Sequence, residues 1–152
     1  FSLGDELPKL YCKANTLYWA KALLTMTYDF IDSAILSTDS LPPFKIPRLR
    51  FVEARLALAH SQFTKGLVKP KFGGTVCGIY LLEEKIEGGS TAFTKYIHNM
   101  NCKPSLSADK DGYDIAKFLA FTQHVQYSKS RGLVFVSDYQ GKLNKLGLIP
   151  GC

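Results

Sequence analysis

Apolar positions in the first quarter of the chain recur at helical intervals. Leu17, Leu24, Tyr28, Ile31 and Ile35 follow one another by steps of seven, four, three and four, which lines one face of a helix. The pattern predicts a helix over 11–36, stopped by Ser37, Thr38, Asp39 and Ser40 and then by Pro42 and Pro43. The next segment, 48–60, alternates. Leu49, Phe51, Glu53 and Arg55 fall on one side and Arg50, Val52, Ala54, Leu56 and Leu58 on the other, the period of a strand. Glycine, proline and lysine crowd 63–74 and predict a surface loop. Segment 75–86 is β-branched and apolar until Glu83 and Glu84, a buried strand running into a connection. Gly88, Gly89 and Ser90 break the chain ahead of Phe93, Thr94, Lys95 and Tyr96.

Segment 101–112 is polar and turn-rich. A second amphipathic helix is expected after it, with Asp111 as N-cap and Ile115, Phe118, Leu119 and Thr122 at helical spacing. Past an Arg131-Gly132 turn, the stretch 133–141 (LVFVSDYQG) alternates like a strand, and the tail 142–152 shows no clear period. The order helix, strand, strand, helix, strand predicts an α+β domain over 1–152. Its sheet is expected to be mixed and largely antiparallel, beside two amphipathic helices.

Composition narrows the class. Apolar residues make up 46% of the 152 positions, charged residues 21% and aromatic residues 12%, a globular balance that argues against disorder. The longest apolar candidates, 17–24 and 115–121, fall far short of the roughly 18–20 residues of a bilayer span, so no membrane partner is expected. The opening FSLGDE has neither a basic segment nor a long apolar one, so no signal peptide is visible and an intracellular setting is expected. Without an initiator Met, the chain is expected to be part of something longer. The net charge of +6 is spread thinly, denser at 65–71 and 142–145. It serves either a solvated basic face or a site for phosphorylated or acidic partners. Cys12, Cys77, Cys102 and Cys152 form no CxxC pair; free buried thiols in a reducing compartment are the expectation, with disulfides left open.

Local catalytic signatures such as GxSxG, GxxxxGK[ST], HExxH and GxGxxG are absent. His60, His98 and His124 are scattered, and their default reading is structural. The run 131–136 (RGLVFV) partly matches an RNA-binding strand motif that stacks bases on aromatic rings, but Leu133 and Asp138 stand at two of its aromatic positions. Nucleic acid is therefore not the expected partner, and an RNA-binding domain remains an alternative. Most informative is 136–141 (VSDYQG). A strand period of two puts Asp138 and Gln140 on one face. A carboxylate beside an amide oxygen suits Mg²⁺, which takes oxygen ligands and keeps waters and phosphates in its other positions. A strand end whose polar residues cap a turn explains the same pattern.

The stretch 123–141 resembles the alpha-kinase family, the atypical protein kinases that include myosin heavy-chain kinases, elongation-factor-2 kinase and the channel-kinases. Those carry an F-x-H-x-x-Y segment, a Gly and an apolar strand ending in D-x-Q-G, and here His124, Tyr127, Gly132, Asp138, Gln140 and Gly141 take those places. Leu82, Glu83, Glu84 and Gly88, followed by FTKYIHN at 93–99, are similar to the family's hinge and F-x-K-Y-x-x-N motif. Segment 47–54 is similar to many short fungal members. The similarity spans about 18–141.

The resemblance implies a partial alpha-kinase-like domain that moves a phosphoryl group from Mg²⁺·ATP to a serine or threonine hydroxyl of a protein substrate. By that resemblance Glu83 contacts the adenine, Asn99 lies near the phosphates, and Lys95 and Tyr96 shape that loop. Asp138 is the catalytic carboxylate and Gln140 a Mg²⁺ ligand. His124 is one of four ligands of a structural zinc. The chain departs from the family in two places. Lys9 and Lys13 lie on no recognisable strand, so neither is assigned as the phosphate-binding lysine. The tail 142–152 lacks the family's second metal-binding Asp, its Gly-rich loop and the remaining zinc ligands. Impaired transfer is the expectation, with a non-catalytic pseudokinase-like binding module as the alternative.

Overall fold

Helix α1 runs from Leu3 to Leu36, 34 residues, and so begins well before the expected start at position 11. Pro8 lies inside it. A proline cannot donate to the carbonyl four residues back. The helix absorbs that loss in its second turn, and Asp5 and Glu6 in the first turn favour the earlier start through the helix dipole. Leu17, Leu24 and Ile31 of the predicted face are buried, joined by Ala20, Leu23 and Thr27.

The computed structural model describes residues 3–40, 42–61, 75–86, 93–98, 101–142 and 145–148. The expected loop 63–74, the glycine break at 88–90, Asn99 and Cys152 lie outside them. The other cysteines, Cys12, Cys77 and Cys102, are exposed rather than buried as expected. After α1 come β1 (Arg50–Phe51), β2 (Ala54–Ser61), β3 (Thr75–Glu83), β4 (Thr94–Lys95), β5 (Ile97–His98), β6 (Asn101–Pro104), α2 (Tyr113–Lys129), β7 (Tyr139–Lys142) and β8 (Lys145–Leu148). Strands β2 and β3 form an antiparallel hairpin, Ala54 opposite Glu83, and β5 pairs antiparallel with β6. The remaining four form one sheet in the order β1-β8-β7-β4, with β1 and β8 parallel and the other neighbours antiparallel. The architecture is thus mixed α+β, two helices with small, mostly antiparallel sheets.

Four sequence expectations are corrected. The single strand over 48–60 is two, because the chain changes partners at Val52 and Glu53. Glu53 sends its carboxylate to Lys21 at 2.8 Å, and its carbonyl accepts the Glu84 N–H at 2.7 Å. Segment 101–112 opens with a strand, β6. Asp111 is not the N-cap of α2. The chain enters the helix through Gly112 at φ +87°, with no side-chain cap, and a β-carbon there would sit 3.2 Å from the Tyr96 ring. The strand expected over 133–141 begins only at Tyr139, because Asp138 at φ +59° interrupts the extended backbone.

In the tail, β8 stands between β1 and β7, four residues too short to display a period. Against this sheet, Leu17, Ala20, Leu23 and Leu24 of α1 meet Leu49, Phe51, Val52, Tyr96 and Ile97. Ala116 and Leu119 of α2, with Val136 and Tyr139, complete the core. The Tyr28 hydroxyl ties α1 to the entry of β1, donating to the Pro47 carbonyl at 2.9 Å and accepting the Leu49 N–H at 2.7 Å.

Candidate functional site

Helix α2 buries three polar side chains, Thr122, Gln123 and Gln126, beside Ala116, Leu119 and Val125. Buried polar groups need partners; Thr122 donates to the Leu119 carbonyl within the helix, Gln123 Oε1 has no partner among the described residues, and the other groups reach 136–139. The Val136 N–H donates to Gln126 Oε1 at 2.9 Å, and the Gln123 amide donates to the Val136 carbonyl at 2.8 Å. Gln126 Nε2 donates to the Tyr139 hydroxyl at 3.3 Å, with Thr122 Oγ1 at 3.2 Å from the same oxygen. Burial pushes the Tyr139 hydroxyl up to about 12. Its ring stacks on Phe51, centroids 6.1 Å apart.

This clamp grips the chain on both sides of Asp138. The left-handed backbone at φ +59° is one that Asp tolerates better than most residues. The Asp138 side chain is only 15% exposed, and Lys95 Nζ lies 2.6 Å from its Oδ1. The two form an ion pair, and Oδ1 has no further hydrogen-bond partner among the described residues.

Lys95 is placed by β4. Thr94 stands opposite Gly141 and Lys95 opposite Gln140 in antiparallel register. The Tyr96 N–H donates to the Tyr139 carbonyl at 2.9 Å, continuing the pairing. Directly opposed residues project to one face of a sheet, so Gln140 shares the face of Lys95. Asp138 precedes β7, so the period of two that predicted it beside Gln140 does not reach it. Lys95 brings the two together instead, opposite one and touching the other. Tyr96 is buried, and desolvation raises its hydroxyl pKa.

Two other predicted site residues stand apart. Glu83 is exposed at the end of β3. Its neighbour Glu84 is the engaged carboxylate, taking both guanidinium nitrogens of Arg50 at 2.6 and 2.7 Å. His124 is exposed on α2. Among the described residues no group of three or more His, Cys, Asp or Glu could hold a metal ion. The described residues therefore do not fit a tetrahedral zinc around His124. What the described residues offer a harder cation is one buried carboxylate oxygen, already paired with Lys95, and the Gln140 amide on β7, oxygen donors of the type Mg²⁺ takes.

The RNA-binding motif finds no platform. Leu133, Val134 and Phe135 are exposed, but residues 134–138 form no strand on which bases could stack in a row. An open apolar groove of about 760 Å³ lies between the end of α1, segment 42–47 and α2, lined by Phe30, Phe44, Phe118 and Phe121. It contains none of the predicted site residues, and its Asp114 and Lys117 neutralise each other at 2.8 Å.

Sequence reasoning missed Thr122, Gln123 and Gln126 as supports of the site. Their signal was available: amides at 123 and 126 share the helical face of Ala116 and Leu119, where an apolar side chain is expected. In comparisons with protein-family models, with curated proteins and with solved structures, nothing matches this chain.

Proposed function

We propose that the chain is a partial alpha-kinase-like domain that binds a Mg²⁺-complexed nucleoside triphosphate at Lys95, Asp138 and Gln140, with impaired transfer of a phosphoryl group to a protein serine or threonine. One observation carries this reading. The two segments on which the resemblance rests, around Lys95 and around Asp138-Tyr139-Gln140, are adjacent antiparallel strands with Lys95 opposite Gln140 and 2.6 Å from Asp138. A chance match between unrelated loops does not require that proximity.

Each side chain has a task in this reading. Lys95 neutralises phosphate charge, and its flexible stem lets the ammonium move while β4 stays paired. Gln140 offers an amide oxygen to the cation. Asp138 orients the substrate hydroxyl, held by the α2 clamp so that its geometry is set before ligand arrives. The bound Mg²⁺ supplies charge neutralisation on the transferring phosphate. The Lys95–Asp138 ion pair also favours a second reading, a module that binds nucleotide without turning it over. A carboxylate engaged by an ammonium must be released before it can orient a hydroxyl.

The test is thermal unfolding with and without Mg²⁺·ATP, on the wild-type protein and on Asp138→Asn. At 100 times Kd the ligand adds about 2.7 kcal/mol of stability, and the shift is expected to vanish in the variant. No shift in the folded wild-type protein overturns the proposal. A shift without phosphate transfer to protein substrates selects the second reading.

A further inference from the structure

We infer that the groove between the end of α1, segment 42–47 and α2 binds a free long-chain fatty acid, its acyl chain along Phe30, Phe44, Phe118 and Phe121 and its carboxylate at Lys45. None of Lys95, Asp138 and Gln140 lines the groove, so this second site stands apart from the nucleotide reading. At about 760 Å³ it has the size of a small-molecule pocket, and its shape is set before any ligand arrives. Pro42, Pro43 and Pro47 donate no backbone hydrogen bond and hold φ fixed, and the segment they stiffen joins no helix or strand. The Tyr28 hydroxyl pins its end by donating to the Pro47 carbonyl at 2.9 Å. The Tyr28 ring stacks on Phe118 with centroids 5.9 Å apart, and Phe118 packs on Phe121 at 6.3 Å. Floor and wall are thus tied together through Tyr28, and binding spends little on ordering them. Phe44 and Phe121 still present 68% and 41% of their surface to water, apolar area that a ligand would cover.

Charge decides the head group. Among the described residues, Asp114 is the carboxylate that lines the groove, and Lys117 already holds it at 2.8 Å. Lys45 lines the groove exposed, with no acidic partner among the described residues. Lys129 adds a second cation, its ammonium 4.6 Å from the centroid of the Phe30 ring. The rim is short of negative charge, and an anion complements it. A lysine ammonium is a point charge that matches one carboxylate; a phosphate head would bring a second charge, and no arginine lines the groove to meet it. The walls decide the body. Helices keep their N–H and C=O groups within their own turns, and the prolines have no N–H to give. An extended peptide would leave most of its amides unpaired there, a cost that an acyl chain avoids.

The experiment is displacement of a dansyl-labelled undecanoic acid, read by its fluorescence, with oleate below its critical micelle concentration and oleyl alcohol as competitors. Lys45→Gln removes the ammonium, and Ala34→Trp fills the groove from an exposed position on α1. Circular dichroism verifies each fold, and Phe44→Ser serves if the tryptophan variant does not fold. Oleate is expected to bind wild type and to lose about fivefold in Lys45→Gln, the ceiling for one exposed ion pair. Oleyl alcohol is expected to bind more weakly than oleate and equally to both proteins. Ala34→Trp is expected to weaken oleate by at least about tenfold, as for loss of a central apolar contact. No displacement by oleate from the folded wild-type protein, or unchanged binding to Ala34→Trp, overturns the inference. An equal effect of Lys45→Gln on oleate and on oleyl alcohol overturns it as well, since Lys45 then does not read the head group. A wild-type dimer in light scattering that Ala34→Trp abolishes and oleate leaves intact assigns the groove to a second copy and overturns it too.

Discussion

Gln126 holds Val136 by its backbone: the side-chain oxygen of one accepts the amide hydrogen of the other at 2.9 Å, inside the core. Residues 134–138 belong to no strand, so at this point a helix side chain does the work of a neighbouring strand. The other end of the same amide reaches Tyr139, and Asp138 lies between the two attachments.

Replacing Gln126 with Leu keeps the volume close but leaves the Val136 N–H buried without an acceptor. The expected cost is about 1–3 kcal/mol, the penalty for an orphaned buried donor. Urea denaturation measures it, and an unchanged midpoint would mean that the amide is not what holds the segment.

At Asp138 the backbone and the carboxylate can be separated. Asn and Ala both remove the charge that meets Lys95, yet only Asn tolerates the left-handed region comfortably. Asp138→Ala is therefore expected to be less stable than Asp138→Asn by about 1 kcal/mol. Equal stability of the two variants in denaturant titrations would show that φ +59° stores no strain.

Tyr139 sets an alkaline limit. Its folded pKa lies near 12, above the ordinary value of 10, so the folded state keeps the proton that the unfolded state gives up. The resulting stability is complete below pH 10 and disappears as pH rises toward 12. At 1.36 kcal/mol per unit it amounts to roughly 2–3 kcal/mol. Other tyrosines and the lysines titrate in the same window, so the informative quantity is the difference from Tyr139→Phe. That difference should shrink between pH 10 and 12 in thermal unfolding; a gap independent of pH would assign the stability to packing instead.

Much of the fold was legible where side chains face a core. Leu17, Leu24 and Ile31 announced α1, and Leu119 and Thr122 announced α2, because burial imposes a period on the chain. Legibility failed where backbone conformation decides. Neither Gly112 nor Asp138 has a sequence pattern that says it will adopt positive φ, and each moved the boundary of an element. It failed again where partners are distant: nothing local to Phe51 tells that Leu146 will pair with it. The site shows the same division. Asp138, Gln140 and Lys95 were identifiable as residue types in motifs. Their convergence depends on the β4–β7 register, and their support depends on amides whose place on the apolar face of α2 was the one signal they gave.

The tail offers the sharpest test of how the sheet is held. Strand β8 is the only described partner of β1, through Arg50 opposite Lys145 and Phe51 opposite Leu146, and it covers one side of β7. Removing 143–152 strips β1 of its pairing and turns β7 into an edge with β4 alone beside it. Phe51, buried against Tyr139, then loses the backbone bonds that fix its strand, and the loss reaches the α2 clamp through Tyr139. The truncated chain is expected to unfold at a clearly lower urea concentration, by at least about 2 kcal/mol, as for other changes that break a buried network. A point variant keeps the length constant: Gly147→Pro, opposite Gln140 in β7, removes an N–H and fixes φ in a strand paired on both sides, where proline is not tolerated. Under the proposed reading of the site, both variants should weaken Mg²⁺·ATP binding together with stability, because Gln140 stands in that register. Unfolding of either variant at the wild-type midpoint would mean that β8 adds nothing to the fold, and the sheet would have to be redrawn without it.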